Sequence, residues 1–224
     1  MMDVRSVCNF GWFIPDKVVY TLGKHFASTS EIPLFVEDPS FIGSVVDLET
    51  LEVNHDGIGL LRMQKKSQLT WGDRLEQGVR VLLPVCYPKD EHWLLVVLSR
   101  LGKRVYIKVW DSMHKHFAEF HESIVKVMVK AMQLMGGVGE SISFKPLDQT
   151  TPLEQRHSHN FCGFHVLMRI WMESTGQKEK KIKHYTVDLI RRYVQYMILS
   201  KEVGVGSEFV GEQEESGEEE FRLV

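Results

Sequence analysis

The chain has 224 residues, 43% of them hydrophobic and 10% aromatic, with a formal net charge of −3. That apolar content supports one domain with a sizeable core; no run of roughly 18 apolar residues marks a membrane helix, and the start lacks the basic and apolar segments of a secretory signal. Residues 208–224 hold seven Glu and one Arg, which leaves a weak excess of about +3 on the rest, far from the clustered basic face that nucleic acid requires.

Taken in order, residues 1–11 are expected to be a poorly ordered lead-in. Pro15-Asp16 then opens a helix, because proline is tolerated in the first turn and an acidic side chain complements the dipole there; Val18, Val19, Leu22 and Phe26 follow at helical spacing. From 28 to 75 the pattern weakens, with Pro33, Pro39, Asp56-Gly57 and Gly59 reading as turns, and 41–46 fitting a short helix or a strand equally well. This stretch is expected to carry small helices and a partner-facing surface. Strand signals follow at 79–86, 92–99 and 104–110, the last two joined by a tight turn at Leu101-Gly102-Lys103, so that at least two strands run antiparallel. Cys86 lies inside the first of them and reads as a structural thiol.

Phe117, Phe120, Ile124, Val127, Met128, Ala131, Leu134 and Met135 recur at threes and fours, a long amphipathic helix ended by Gly136-Gly137, with its methionines as core filler. A strand is expected at 141–146, a helix from Cys162, and a last amphipathic helix at 185–198, with Gly204 and Gly206 closing a single domain of residues 12–206. The basic cluster at 178–183 reads as a solvated loop, as does His114-Lys115-His116. The glutamate-rich residues 207–224 are expected to be disordered.

The chemistry gathers around Cys162. A polar, loop-like run from 153 ends at Cys162-Gly163, where an apolar helix begins, and a helix N-terminus offers unpaired N–H groups and a dipole that favour a thiolate. Three cysteines, Cys8, Cys86 and Cys162, make no spaced disulfide framework, so a reducing compartment is expected, cytoplasm or nucleus, or a host cell if the protein comes from a pathogen. His92 heads the strand 92–99, Asp111 ends the strand 104–110, and Gln155 precedes the cysteine. In that order the four could serve as base, orienting carboxylate, oxyanion donor and nucleophile. Singly, each has a plainer reading: a packed histidine, a turn aspartate, a loop glutamine. His157, His159, Cys162 and His165 are four zinc-capable side chains in one stretch, but without a paired CxxC spacing; no metal and no cofactor is expected.

His92-Trp93 at the head of an apolar strand, Trp110-Asp111-Ser112 at the end of the next, then Gln155 and Cys162-Gly163-Phe164-His165 on a helix together resemble the ubiquitin-like-protein-specific proteases. That family includes the SUMO and NEDD8 proteases and is related to the adenoviral protease. The match is specific over about 79–174, and 13–19 resembles the family's helix entry. The resemblance implies an α+β, papain-like cysteine protease fold with a central mixed or antiparallel sheet flanked by helices, and a His92–Asp111–Cys162 triad with Gln155 at the oxyanion. It also implies cleavage after a Gly-Gly C-terminus threaded through an aromatic tunnel walled by Trp93 and by Trp12 or Phe13. The implied partner is SUMO, NEDD8 or ubiquitin and its conjugates, met by a monomer that binds neither nucleic acid nor membrane. Phe161 stands where the family carries an acidic residue, and Gln155 lies seven positions before Cys162. Two other readings fit the same residues: an acetyltransferase of the YopJ type, which shares the His, acid, Gln, Cys order but lacks the tryptophan after the histidine, and a degenerate protease fold that only binds a ubiquitin-like protein.

Overall fold

The structure, a computed structural model, describes residues 14–64, 69–87, 91–136, 143–146, 161–176, 191–192 and 194–196. The expected lead-in, the acidic tail, Trp12, Phe13, Gln155, His157, His159, the basic cluster, Gly204 and Gly206, and most of the expected final helix lie outside them. The elements are α1 (Asp16–Ser28), β1 (Leu34–Val36), α2 (Pro39–Val45), β2 (Val46–Asp47), β3 (Glu52–Val53), α3 (His55–Gln64), α4 (Trp71–Glu76), β4 (Arg80–Tyr87), β5 (His92–Leu101), β6 (Arg104–Trp110), α5 (His114–Met135), β7 (Ser143–Pro146) and α6 (Cys162–Thr175).

Five strands form one mixed sheet in the order β1-β4-β5-β6-β7. The three inner strands are antiparallel, and β1 and β7 pair parallel to β4 and β6. Strand β5 is central, and its apolar run explains itself once both faces are followed. Trp93, Leu95 and Val97 point into a core shared with α1 and α6, while Leu94, Val96 and Leu98 point into a second core shared with α2, α3, α4 and α5. A strand covered on both sides has no polar face to show, so the period-two alternation disappears.

Local signals account for most of the remaining elements, with corrections in the weak stretch. Residues 41–46 divide rather than choose: the helix runs to Val45 and a strand starts at Val46. Pro39 opens that helix instead of marking a turn, behind Asp38, whose side chain accepts from the Ser40 N–H at 2.8 Å. Asp56, Gly57 and Gly59 lie within α3 and not in a turn. A Cβ on Gly57 would stand 1.8 Å from the Ser44 carbonyl oxygen, so the glycine permits a backbone approach between α3 and the end of α2. His114 to His116 likewise belong to the first turn of α5 and not to a loop. Helix α4 starts with a capping box in which Thr70 accepts from Asp73 and Asp73 from Thr70.

Charged side chains tie α6 to the sheet. Glu173, 8% exposed, pairs with Arg169 on its own helix and with Arg80 on β4. Arg169 also lies over the Trp110 ring of β6, 3.3 Å from its centre, with Lys108 at 3.8 Å. One helix is thereby fixed against two strands, and the residue that opens this helix is Cys162.

Candidate active site

The sheet brings His92 and Asp111 together. β5 and β6 run antiparallel in a ladder that reaches Leu95 opposite Trp110, so the start of β5 lies beside the end of β6. Asp111, the first residue past β6, meets the ring of the first residue of β5: His92 Nε2 donates to Asp111 Oδ1 at 2.7 Å. The Met113 N–H donates to the same oxygen at 2.7 Å. Both side chains are buried, His92 at 3% and Asp111 at 2% exposure.

Cys162 approaches from the other side of β5. Helix α6 packs on the sheet face that carries Trp93, and its first residue, 4% exposed, comes close enough to His92 to act on its proton affinity. Nε2 of the ring is taken by Asp111, so any contact of the ring with sulfur falls to Nδ1. The thiol also lies 3.9 Å from the carbonyl of Glu91, a residue held in the left-handed region at φ 48°. A non-glycine residue in that conformation beside His92 carries strain of a kind common at working sites. At the N-cap position, Phe161 offers no side-chain acceptor to the first turn of α6, so the N–H groups there are not capped by their own N-cap residue.

The neighbouring glycine sets how closely the helix can come. A Cβ on Gly163 would fall 1.8 Å from Ile14 Cγ2, and the Trp93 indole donates to the Ile14 carbonyl at 3.2 Å. Ile14, Trp93 and the start of α6 thus form one packed unit, and Trp93 is 1% exposed. Gly163→Ala is expected to destabilise the protein by about 1–3 kcal/mol through overpacking and to push Cys162 off His92. A thermal melt and a turnover assay on the same preparation check this, and an unchanged Tm would contradict the packing described.

Electrostatics support separated charges. Burial opposes a charged imidazole, but the hydrogen bond and charge of Asp111, together with contact to Cys162, outweigh it and hold His92 up at about 9. Burial alone would raise the Asp111 carboxyl. Hydrogen bonds from His121 and His92, the His92 charge and the Met113 N–H instead hold it well below the usual carboxylate range. Cys86 behaves as a structural thiol, pushed up to about 12 chiefly by burial and then by nearby Asp16. A cysteine sulfur, a ring that holds a proton for the leaving group over a wide range and a fixed carboxylate can together run nucleophilic attack with proton delivery to a leaving group.

Three of the expected site residues, His92, Asp111 and Cys162, are therefore brought together, and Trp93 lies against the same unit. Gln155, Trp12 and Phe13 fall outside the described residues. One residue had not been anticipated: His121 of α5, 3% exposed, whose Nε2 lies 2.6 Å from Asp111 Oδ2. Its signal was its place in the helical stripe, three residues before Ile124. Among the described residues no group of three or more His, Cys, Asp or Glu is placed to hold a metal ion, and no helix is long and apolar enough to cross a membrane.

No protein-family model and no curated protein sequence matches the chain. Solved structures do match. The SUMO protease Ulp1 with its catalytic cysteine oxidised to a sulfonic acid is similar at a TM-score of 0.59 and 16% identity, over 90% of this chain and 84% of that one. The C-terminal Ulp1 protease domain in complex with Smt3, the yeast ortholog of SUMO, gives 0.59 at 15% identity, over 90% and 82%. The Ulp1-like SUMO protease catalytic domain of Chaetomium thermophilum gives 0.54 at 16%, over 84% and 73%. The chain thus has the Ulp1-like protease fold, the α+β, papain-like architecture expected from the sequence. At these identities the likeness speaks to fold and leaves substrate to chemistry.

Proposed function

We propose that this protein is a cysteine peptidase or isopeptidase that cleaves after the Gly-Gly C-terminus of a ubiquitin-like modifier, SUMO, NEDD8 or ubiquitin, in precursor maturation or deconjugation. The observation that carries the reading is the line Cys162, His92, Asp111, built from three separate elements on this fold and buried together. Such a convergence of nucleophile, base and orienting carboxylate has no structural necessity, because apolar side chains would fill the same space.

In this mechanism Cys162, its proton resting on His92, attacks through sulfur at the carbonyl carbon of the terminal glycine. The C–N bond breaks, the His92 proton passes to the leaving amine, and an acyl-thioester remains on sulfur. Water, giving a proton back to His92, then hydrolyses the thioester to the free carboxylate and restores the thiol pair. Asp111 keeps the imidazole in the tautomer that leaves Nδ1 for sulfur. The oxyanion is received by the Cys162 N–H at the start of α6, with Gln155 as the side-chain donor. Trp93, with Trp12 or Phe13, lines the passage for the two glycines. The fold it shares with Ulp1, solved in complex with Smt3, is a further support for a ubiquitin-like partner.

A passage closed by aromatic rings discriminates sharply, because any Cβ on the threaded chain meets ring carbons on both sides. With fluorogenic amides of SUMO, NEDD8 and ubiquitin, changing the final Gly to Ala is expected to lower kcat/KM by about 100-fold or more. Equal cleavage of the two forms of the preferred modifier would overturn the tunnel.

A further inference from the structure

Asp111 holds more partners than a simple orienting carboxylate requires. His92 and the Met113 N–H both fall on Oδ1, while His121 alone of the described residues reaches Oδ2. The carboxylate is ionised and can only accept, so the Nε2 of each histidine is the donor. His121 comes from a different element than either partner. It sits on α5 in line with Ile124, Met128, Ala131 and Met135, successive turns of a stripe that is otherwise apolar and buried. A histidine in that line breaks the local pattern, and such breaks fall preferentially at functional sites.

The torsion that rotates a carboxylate is soft and nearly two-fold, so donors on one oxygen leave the plane of the group poorly defined. A second donor on the other oxygen, from a helix on the far side, removes that freedom. We propose that His121 is a positioning residue of the reaction, fixing the plane of Asp111 so that Oδ1 stays on His92 Nε2 and His92 Nδ1 stays on Cys162. The proposal rests on the reading of Cys162, His92 and Asp111 as a catalytic triad. Among the described residues, the charged and titratable groups bearing on His92 are Asp111 from the end of β6 and Cys162 from α6, and those bearing on Asp111 are His92 and His121.

The test uses the full chain with His121→Ala and His121→Gln, glutamine placing an N–H donor near the position of Nε2. Two readouts are taken: kcat and KM on a Gly-Gly amide of the preferred modifier, and the titration of His92 followed by side-chain nitrogen NMR, which needs no substrate. His121→Ala is expected to lower kcat by roughly 10- to 100-fold, as small misplacements of reacting groups do, with KM within about twofold and the His92 midpoint moved down. His121→Gln is expected to restore both. Wild-type kcat and an unmoved His92 midpoint in a folded His121→Ala protein would overturn the proposal. So would a folded His121→Gln protein as impaired as the alanine variant, and that variant decides the matter if alanine does not fold. Absence of turnover in the wild-type protein would count against the peptidase reading, while the His92 titration would still judge the role of His121.

Discussion

Cys162→Ala is expected to lower turnover of a Gly-Gly-terminated modifier by roughly 100,000-fold or more, since removal of a nucleophile leaves only what binding and oxyanion stabilisation supply. The methyl group of alanine stays within the same buried corner, between His92 and the apolar face of β5, and removes a single sulfur. Fold and modifier binding are therefore expected to survive, with a KM or Kd close to that of the parent. This separates chemistry from packing: a general loss of structure would lower both together. Stopped turnover with retained binding also distinguishes the peptidase from a degenerate binding module, whose properties would not depend on the thiol at all.

Asp111→Asn is the second large effect, and its size follows from the hydrogen bonds counted above. Two histidine rings donate to Asp111, one to each oxygen. An asparagine presents one acceptor and one donor, so one of the two rings must reverse its tautomer. If His92 reverses, its Nδ1 carries the proton while neutral and cannot accept from sulfur. A fall in kcat of about 10,000-fold is expected, the size seen when the orienting carboxylate of a triad is neutralised. The pH profile moves as well. In the parent, the imidazolium of His92 persists to about 9, so the basic limb of kcat/KM is expected near that value. Removing the carboxylate charge lowers the proton affinity of His92, and the limb is expected to shift down by about one unit or more. A basic limb that stays in place in Asp111→Asn would contradict the electrostatic role given to the carboxylate.

The features legible in the sequence are those that local chemistry dictates. The run from Leu94 to Leu98 is too apolar for anything but a strand covered twice, Phe120 to Met135 repeats at the helical period, and Gly136 stops that helix with a φ of 83°. His92, Asp111 and Cys162 were legible because each sits at an element end, where a side chain can reach across to its neighbours. Less was legible where tertiary contact overrides local preference. β1 has three residues and is a strand only because β4 lies beside it. Gly57 reads as a breaker, yet it serves a helix whose backbone passes against the Ser44 carbonyl. His121 was hidden in plain periodicity: attention to the apolar members of the α5 stripe passes over a polar residue on it, and nothing local links positions 111 and 121. The Arg169, Trp110 and Glu173 contacts that hold α6 across the sheet are equally unreadable before the elements are packed.

The central claim is that Cys162 is a nucleophile aimed at the C-terminus of a ubiquitin-like protein. The most direct test is covalent capture by SUMO, NEDD8 and ubiquitin carrying a C-terminal electrophile, with intact-mass and peptide mapping, on the parent protein and on Cys162→Ala. A single-modifier mass increase mapped to Cys162, preferred for one of the three probes and absent from the alanine variant, is the predicted result. Labelling that persists in Cys162→Ala, or that falls on Cys86 or Cys8 instead, would contradict the account.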